Sequence, residues 1–110
     1  MSMLEDIKAL LKELWEFIKK ITLKIFNFIK NIVNWFKEPS RLDKLKDENV
    51  IAVAIKEKLV SGDYQVVNCL FNKESEKLVD VKEDAVVYTA ENLDAEARKQ
   101  FGDKDMLVIQ

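Results

Sequence analysis

The chain of 110 residues contains no histidine, one cysteine, two glycines and one proline. Without histidine, it lacks the usual general base and a common metal ligand, and Ser-His or Cys-His nucleophile arrangements are excluded. Cys69, the lone cysteine, predicts neither an internal disulfide nor a zinc site. Two glycines forty residues apart exclude the known phosphate-binding loops. We therefore expect no enzyme, no metal site and no cofactor.

Carboxylate pairs are the remaining candidates for acid–base chemistry, because two acids in unlike environments can share such a role. The close pairs are Glu74 with Glu76 and Glu83 with Asp84, all in predicted turns. We expect these four side chains to be solvated and not catalytic. Cys69 lies within an apolar stretch, so we expect a buried, inert thiol.

Acidic residues are absent between Glu16 and Glu38, although the chain as a whole has a net charge of −2. This segment reads FIKKITLKIFNFIKNIVNWFK over residues 17–37, with five lysines among twelve apolar residues. The lysines interrupt the apolar run, so it is too short to span a bilayer. Residues 41–110 carry an excess of acids, and this part of the chain is not expected to bind nucleic acid.

Residues 3–37 follow a helical period, with nearly all apolar residues on one side of a 3.6-residue wheel. This pattern predicts one amphipathic helix that ends before Pro39. At about 1.5 Å per residue, the helix would be about 52 Å long. A compact domain of the remaining residues would be about 28 Å across. Part of the apolar face therefore needs a cover, because large exposed apolar patches mark contact surfaces.

Three covers are compatible with this pattern. The first is the protein's own sheet, with the helix packed or bent across it. The second is self-association, since heptad positions a and d are apolar from Leu4 to Trp35. The third is an anionic membrane surface, because interfacial helices combine a wide apolar face with lysines and aromatic residues. Only the third explains why the segment lacks acids.

The rest of the chain predicts an α+β domain. Asp47 caps a predicted second helix, ENVIAVAIKEKLVS, which ends at Gly62. Four strands are predicted in a mostly antiparallel sheet: DYQVVNCLF, EKLVDVK, AVVYTA and MLVIQ. A short helix capped by Asn92 or Asp94 precedes the last strand. The predicted organisation is a helical extension (1–38), a connector (39–46) and a small α+β domain (47–110).

The stretches YQVVNCLFNKES and FGDKDMLVIQ, which follow the amphipathic start, resemble a type of short cyanobacterial protein. The resemblance covers about residues 42–110. It implies no activity and no functional residues.

These observations lead to the hypothesis of a non-enzymatic, cytoplasmic bacterial protein that attaches to an anionic membrane through its N-terminal helix. The alternative is a soluble homo-oligomer or partner-binding module that is assembled through the same helix. The expected anionic-lipid contacts are Lys19, Lys20, Lys24, Lys30 and Lys37. The expected membrane or partner contacts are Phe17, Ile18, Ile21, Ile25, Phe26, Phe28, Ile29, Ile32, Val33, Trp35 and Phe36.

Overall fold

A computed structural model describes residues 2–109 of the chain. It shows an α+β fold in which one six-stranded mixed sheet has an apolar cluster on each face. The strands are β1 (Lys19–Phe26), β2 (Val50–Lys58), β3 (Tyr64–Asn72), β4 (Lys77–Leu78), β5 (Ala85–Leu93) and β6 (Met106–Ile109). The helical elements are α1 (Met3–Glu13), a 3-10 turn (Trp15–Phe17), a π-helix (Phe28–Val33), α2 (Asn34–Phe36), α3 (Pro39–Lys44) and α4 (Ala95–Phe101).

The strand order of the sheet is β1-β5-β3-β2-β6, and the short β4 pairs with β3. β1 runs parallel to β5, whereas every other pair is antiparallel. Within the described part of the chain, β1 and β6 are therefore the two outer strands of this five-strand order. The N-terminal segment supplies one edge of the sheet, and the C-terminal strand supplies the other.

The prediction of one long helix over residues 3–37 is wrong. The segment folds as α1, the 3-10 turn, β1 and the helical segment 28–36. The longest dimension of the molecule is 35 Å, which is shorter than the straight helix that was expected. Because the helix is broken, much of the apolar side of this segment is buried within one molecule. This burial avoids the free-energy cost of exposing large apolar side chains to water.

The local sequence accounts for these boundaries. Ser2 caps α1, where its hydroxyl accepts a hydrogen bond from the Glu5 amide at 3.2 Å. The sequence KKITLKIF of β1 is rich in β-branched residues, and polar residues alternate with apolar ones over part of its length. In the following segment, the buried side chains Phe28, Ile32 and Phe36 repeat every four residues, as a helix requires.

The prediction of a second helix is also wrong, because residues 50–58 form β2, an interior strand between β3 and β6. Val50 to Ile55 is a continuous apolar run, which suits a strand that is covered on both faces. Ala52 and Ala54 pack on one face, and Val53 and Ile55 pack on the other. Gly62, which was expected to end a helix, has φ 95° and lies in the turn between β2 and β3.

The four predicted strands are present as β3, β4, β5 and β6, although β4 is only two residues long. The last residue of the predicted MLVIQ strand, Gln110, lies outside the described residues. The short helix α4 is confirmed: the Asp94 carboxylate accepts a hydrogen bond from the Ala97 amide at 2.8 Å. Gly102 follows the helix with φ 56°, a backbone conformation that favours glycine.

Two apolar clusters hold the layers together. On one face of the sheet, Ile7 and Leu11 of α1 pack with side chains of β2, β3 and β5. On the other face, the helical segment 28–36 and Phe101 of α4 pack on the sheet. Residues of the predicted extension 1–38 thus contribute to both clusters, and α3 lies within the predicted connector 39–46. Met1 falls outside the described residues.

Candidate functional site

The eleven apolar residues that were expected to form one contact face are divided by the fold. Phe17, Ile25 and Ile29 are the exposed members, at 50%, 55% and 57% of their possible surface. Ile21, Val33 and Trp35 are half-buried. The other five, Ile18, Phe26, Phe28, Ile32 and Phe36, are buried.

The buried members belong to two different apolar clusters. Ile18 packs in the cluster beneath α1, whereas Phe26 packs in the cluster on the opposite face of the sheet. The expected continuous stripe therefore does not exist as one exposed surface. The contact hypothesis now depends on the three exposed side chains and on the lysines.

All five lysines of the acid-free segment are exposed. None of them takes part in the salt bridges found between residues 2 and 109, which lie within residues 38–46 or join that segment to Asp84. Lys24 lines a shallow cleft with Asp63 and Glu91, but forms no ion pair with either. The lysines therefore present positive charge that is not neutralised by direct partners.

Lys20 differs from the others because its ammonium group is held by the turn before β1. It donates hydrogen bonds to the carbonyl oxygens of Trp15, at 2.8 Å, and Ile18, at 3.1 Å. It also lies 5.3 Å from the centre of the Trp15 ring, within the range of a cation–π contact. Lys20 thus helps to fix the start of β1.

We call β1, which contains Lys19, Lys20 and Lys24, the basic edge. Among the described residues, the only strand that pairs with β1 is β5. Every β1 residue except Phe26 is exposed or half-buried. An edge strand has unpaired backbone N–H and C=O groups, which can accept another strand. The basic edge therefore combines free hydrogen-bonding groups with unneutralised positive charge.

A second candidate is a groove of about 400 Å³ between α1 and the sheet, which we call the α1 groove. Leu11, Ile55 and Val67 are its buried apolar residues. Lys8 and Lys12 of α1 also line it. Sequence reasoning missed this site, because it places α1 in one long helix. The spacing of Lys8 and Lys12, one helical turn apart, was the available signal.

The predicted solvated carboxylates behave differently from one another. Glu74, Glu76 and Glu83 are exposed, as expected, but Asp84 is 1% exposed. Its carboxylate is paired with Lys44 and with the Arg41 Nε, the latter at 3.4 Å. The expectation that Asp84 is solvated is wrong. Its two cationic partners belong to α3, so the cluster ties this helix to the turn before β5.

The described residues give no positive sign of a metal centre: no group of three or more Cys, Asp or Glu side chains is placed to hold an ion. Burial raises the pKa of the Cys69 thiol to about 12, so the thiol is protonated at neutral pH. Over the same part of the chain, no helix is long and apolar enough to cross a membrane.

No protein family, curated protein or solved structure matches this chain. Its function is therefore inferred from the basic edge and the α1 groove themselves.

Proposed function

We propose that the protein is a non-enzymatic interaction module that binds an extended, acidic segment of a partner protein along β1. The observation that carries this proposal is the basic edge: among residues 2–109, β1 pairs with β5 alone, and its lysines form no ion pair. Eight residues at about 3.3 Å each give a docking edge of about 26 Å.

Strand addition uses the free groups of an edge strand. The backbone of an incoming strand supplies the hydrogen bonds, and its side chains supply specificity. Successive side chains of a strand alternate between the two faces of the sheet, so Lys19 lies on one face of β1 and Lys20 and Lys24 lie on the other. Acids at alternate positions of the incoming strand would lie beside the lysines of one face, according to the register, and opposite charges on neighbouring strands stabilise a pair by about 0.2–1 kcal/mol each. The exposed side chain of Ile25 adds an apolar contact near the end of the edge.

A second copy of this chain fits the same edge less well. Pairing β1 with β1 of another molecule would bring six lysines to one junction, with no acid in either strand. Like charges on neighbouring strands are destabilising. Lysines on edge strands are also a common means of preventing such self-association. This repulsion is absent when the incoming strand is acidic and present when it is a second copy of β1.

An anionic membrane surface is the second candidate, and the exposure of Phe17, Ile25 and Ile29 beside the lysines favours it. The unpaired backbone of β1 opposes deep contact, because unsatisfied N–H and C=O groups are expensive within the apolar layer. Contact would therefore be confined to the headgroup region. This restriction is why we place a protein segment first.

A labelled peptide tests the proposal. The probe is a fluorescein-labelled peptide of four Glu-Val repeats, and fluorescence anisotropy reports its binding. We expect saturable binding that weakens as salt is added. A Lys-Val peptide of the same length should not bind. A Glu-Val peptide with two valines replaced by proline should bind weakly, because proline removes backbone donors.

Matched variants locate the contact. Lys19→Glu with Lys24→Glu should abolish binding, whereas Lys99→Glu with Lys104→Glu changes the same net charge away from β1 and should preserve most of it. Equal loss in both variants would reject docking at the basic edge. Flotation with phosphatidylserine vesicles completes the test: vesicle binding without peptide binding would replace this proposal by the membrane candidate.

A further inference from the structure

The α1 groove is apolar at its base and cationic along one side. Leu11, Ile55 and Val67 are each less than 5% exposed and form the apolar base. Trp15, half-buried, adds an aromatic wall at the end of α1. The volume of about 400 Å³ lies within the range of about 300–1,000 Å³ that is typical of small-molecule sites.

The charges of the groove favour an anion on the α1 side. Lys8 and Lys12 lie one helical turn apart, and neither takes part in an ion pair between residues 2 and 109. Across from them, β2 and β3 contribute Glu57 and Gln65. The Glu57 carboxylate repels an anion on the sheet side, so a negatively charged head would lie against the helix.

We infer that the α1 groove binds a single-chain amphiphile with an anionic head, and that its alkyl chain lies on Leu11, Ile55 and Val67 while its head contacts Lys8 and Lys12. An uncharged or cationic chain of the same length gains the apolar contact but not the charge complementarity. The site lies beneath α1 and does not depend on the open edge of β1. It is therefore independent of the proposed function.

Trp15 provides a local reporter of occupancy. The chain has two tryptophans, Trp15 and Trp35. In a Trp35→Phe variant, Trp15 is the only source of tryptophan emission. Titration with dodecanoate, below the concentration at which it forms micelles, should shift this emission and saturate near one equivalent. Dodecyl phosphate should behave similarly, whereas the affinity for dodecyltrimethylammonium should be lower by about tenfold or more.

Paired variants test the role of the two lysines. Lys8→Gln with Lys12→Gln should weaken dodecanoate binding by about tenfold or more. Lys99→Gln with Lys104→Gln removes the same charge from exposed positions outside the groove and should leave the affinity unchanged. If both pairs weaken binding equally, a general charge effect explains the data and the assigned site is wrong.

Methyl NMR spectra locate the chain directly. Dodecanoate should shift the methyl signals of Leu11, Ile55 and Val67, while those of Ile32 and Leu70 on the opposite face stay in place. The inference is overturned if shifts occur mainly on the opposite face, if the cationic amphiphile binds equally well, or if dodecanoate only unfolds the protein. A normal circular-dichroism spectrum of each variant excludes misfolding as the cause of lost binding.

Discussion

The carboxylate of Asp84 accepts a hydrogen bond from the ammonium group of Lys44, forty residues earlier in the chain. Arg41 completes the cluster: its Nη2 donates to the Glu83 carbonyl at 2.7 Å, and its guanidinium lies 3.8 Å from the centre of the Trp35 ring. The cluster thereby fastens the segment 35–44 to the turn before β5.

Removal of the Asp84 charge should destabilise the fold. Asp84→Asn leaves Lys44, 36% exposed, without its anionic partner, and leaves Arg41, 14% exposed, paired with the more exposed Glu38. We expect the free energy of unfolding in urea to fall by about 2–3 kcal/mol. Asp43→Asn is the matched control, because its pair with Lys46 is largely exposed and is worth about 0.5 kcal/mol or less. Equal effects of the two substitutions would contradict the structural role of Asp84.

Stability should decrease at alkaline pH. Burial raises the pKa of Cys69 from 9.0 to about 12, burial also raises the pKa of Tyr88, and the hydrogen bond with Asp84 raises the pKa of Lys44. Each group holds its proton more tightly in the folded chain, so above about pH 9 the unfolded chain binds fewer protons. The free energy of unfolding should therefore fall as the pH rises from 9 towards 12.

The Cys69 contribution to this pH dependence can be isolated. Urea unfolding between pH 7 and pH 11 should give a shallower decrease for Cys69→Ala than for the wild-type chain, even though the variant loses some packing at neutral pH. Identical slopes would show that the thiol is not buried as described.

Asn68 is a buried polar residue whose replacement should stabilise the protein. It is fully buried in the middle of β3, and neither its side-chain nitrogen nor its side-chain oxygen has a hydrogen-bond partner within the described part of the chain. Its neighbours on adjacent strands, Ala54 and Val86, belong to the apolar cluster. Asn68→Leu, of similar shape, should raise the free energy of unfolding by about 1–2 kcal/mol.

Asn72 lies on the same strand, but its side chain, unlike that of Asn68, forms hydrogen bonds. Its side-chain oxygen accepts hydrogen bonds from the amides of Glu74 and Ser75, at 2.9 and 3.1 Å. Asn72→Ala should therefore lower the free energy of unfolding by about 1 kcal/mol. A loss of stability in Asn68→Leu comparable to that in Asn72→Ala would show that the Asn68 amide has partners after all.

Substitutions within the acid-free segment should separate surface residues from core residues. Ile25→Asp and Ile29→Asp place a charge at exposed positions and should change stability by about 1 kcal/mol or less. Ile32→Asp buries an unpaired carboxylate and should leave the chain largely unfolded. Far-UV circular dichroism during thermal unfolding measures both effects. Cooperative folding of Ile32→Asp would contradict the described packing.

The sequence predicted the C-terminal half of the fold better than the N-terminal half. β3, β5 and α4 carry strong local signals: β-branched runs for the strands, and the Asp94 cap with Gly102 for the helix. The local sequence pattern predicted the wrong secondary structure where pairing within the sheet determines it. In β1, the residues Ile21, Leu23 and Ile25 fit a helical face and also an alternating strand, and pairing with β5 selects the strand.

The site could be predicted only in part. The five lysines of the acid-free segment 17–37 were predicted to be contact residues, and all five are at the surface. Their arrangement along an open edge could not be predicted, because it depends on the parallel pairing of β1 with β5 across more than sixty residues of sequence. The α1 groove likewise requires knowledge of which strands lie beneath α1.

Amide hydrogen exchange of β1, measured with and without the acidic Glu-Val peptide, tests strand addition most directly. If the peptide adds a strand to β1, it should slow exchange of outward-facing amides within residues 19–26, because their N–H groups gain partners. Exchange at the opposite edge, in β6, should not change. Saturating peptide that leaves β1 exchange unaltered, or that protects β6 instead, would contradict the proposal.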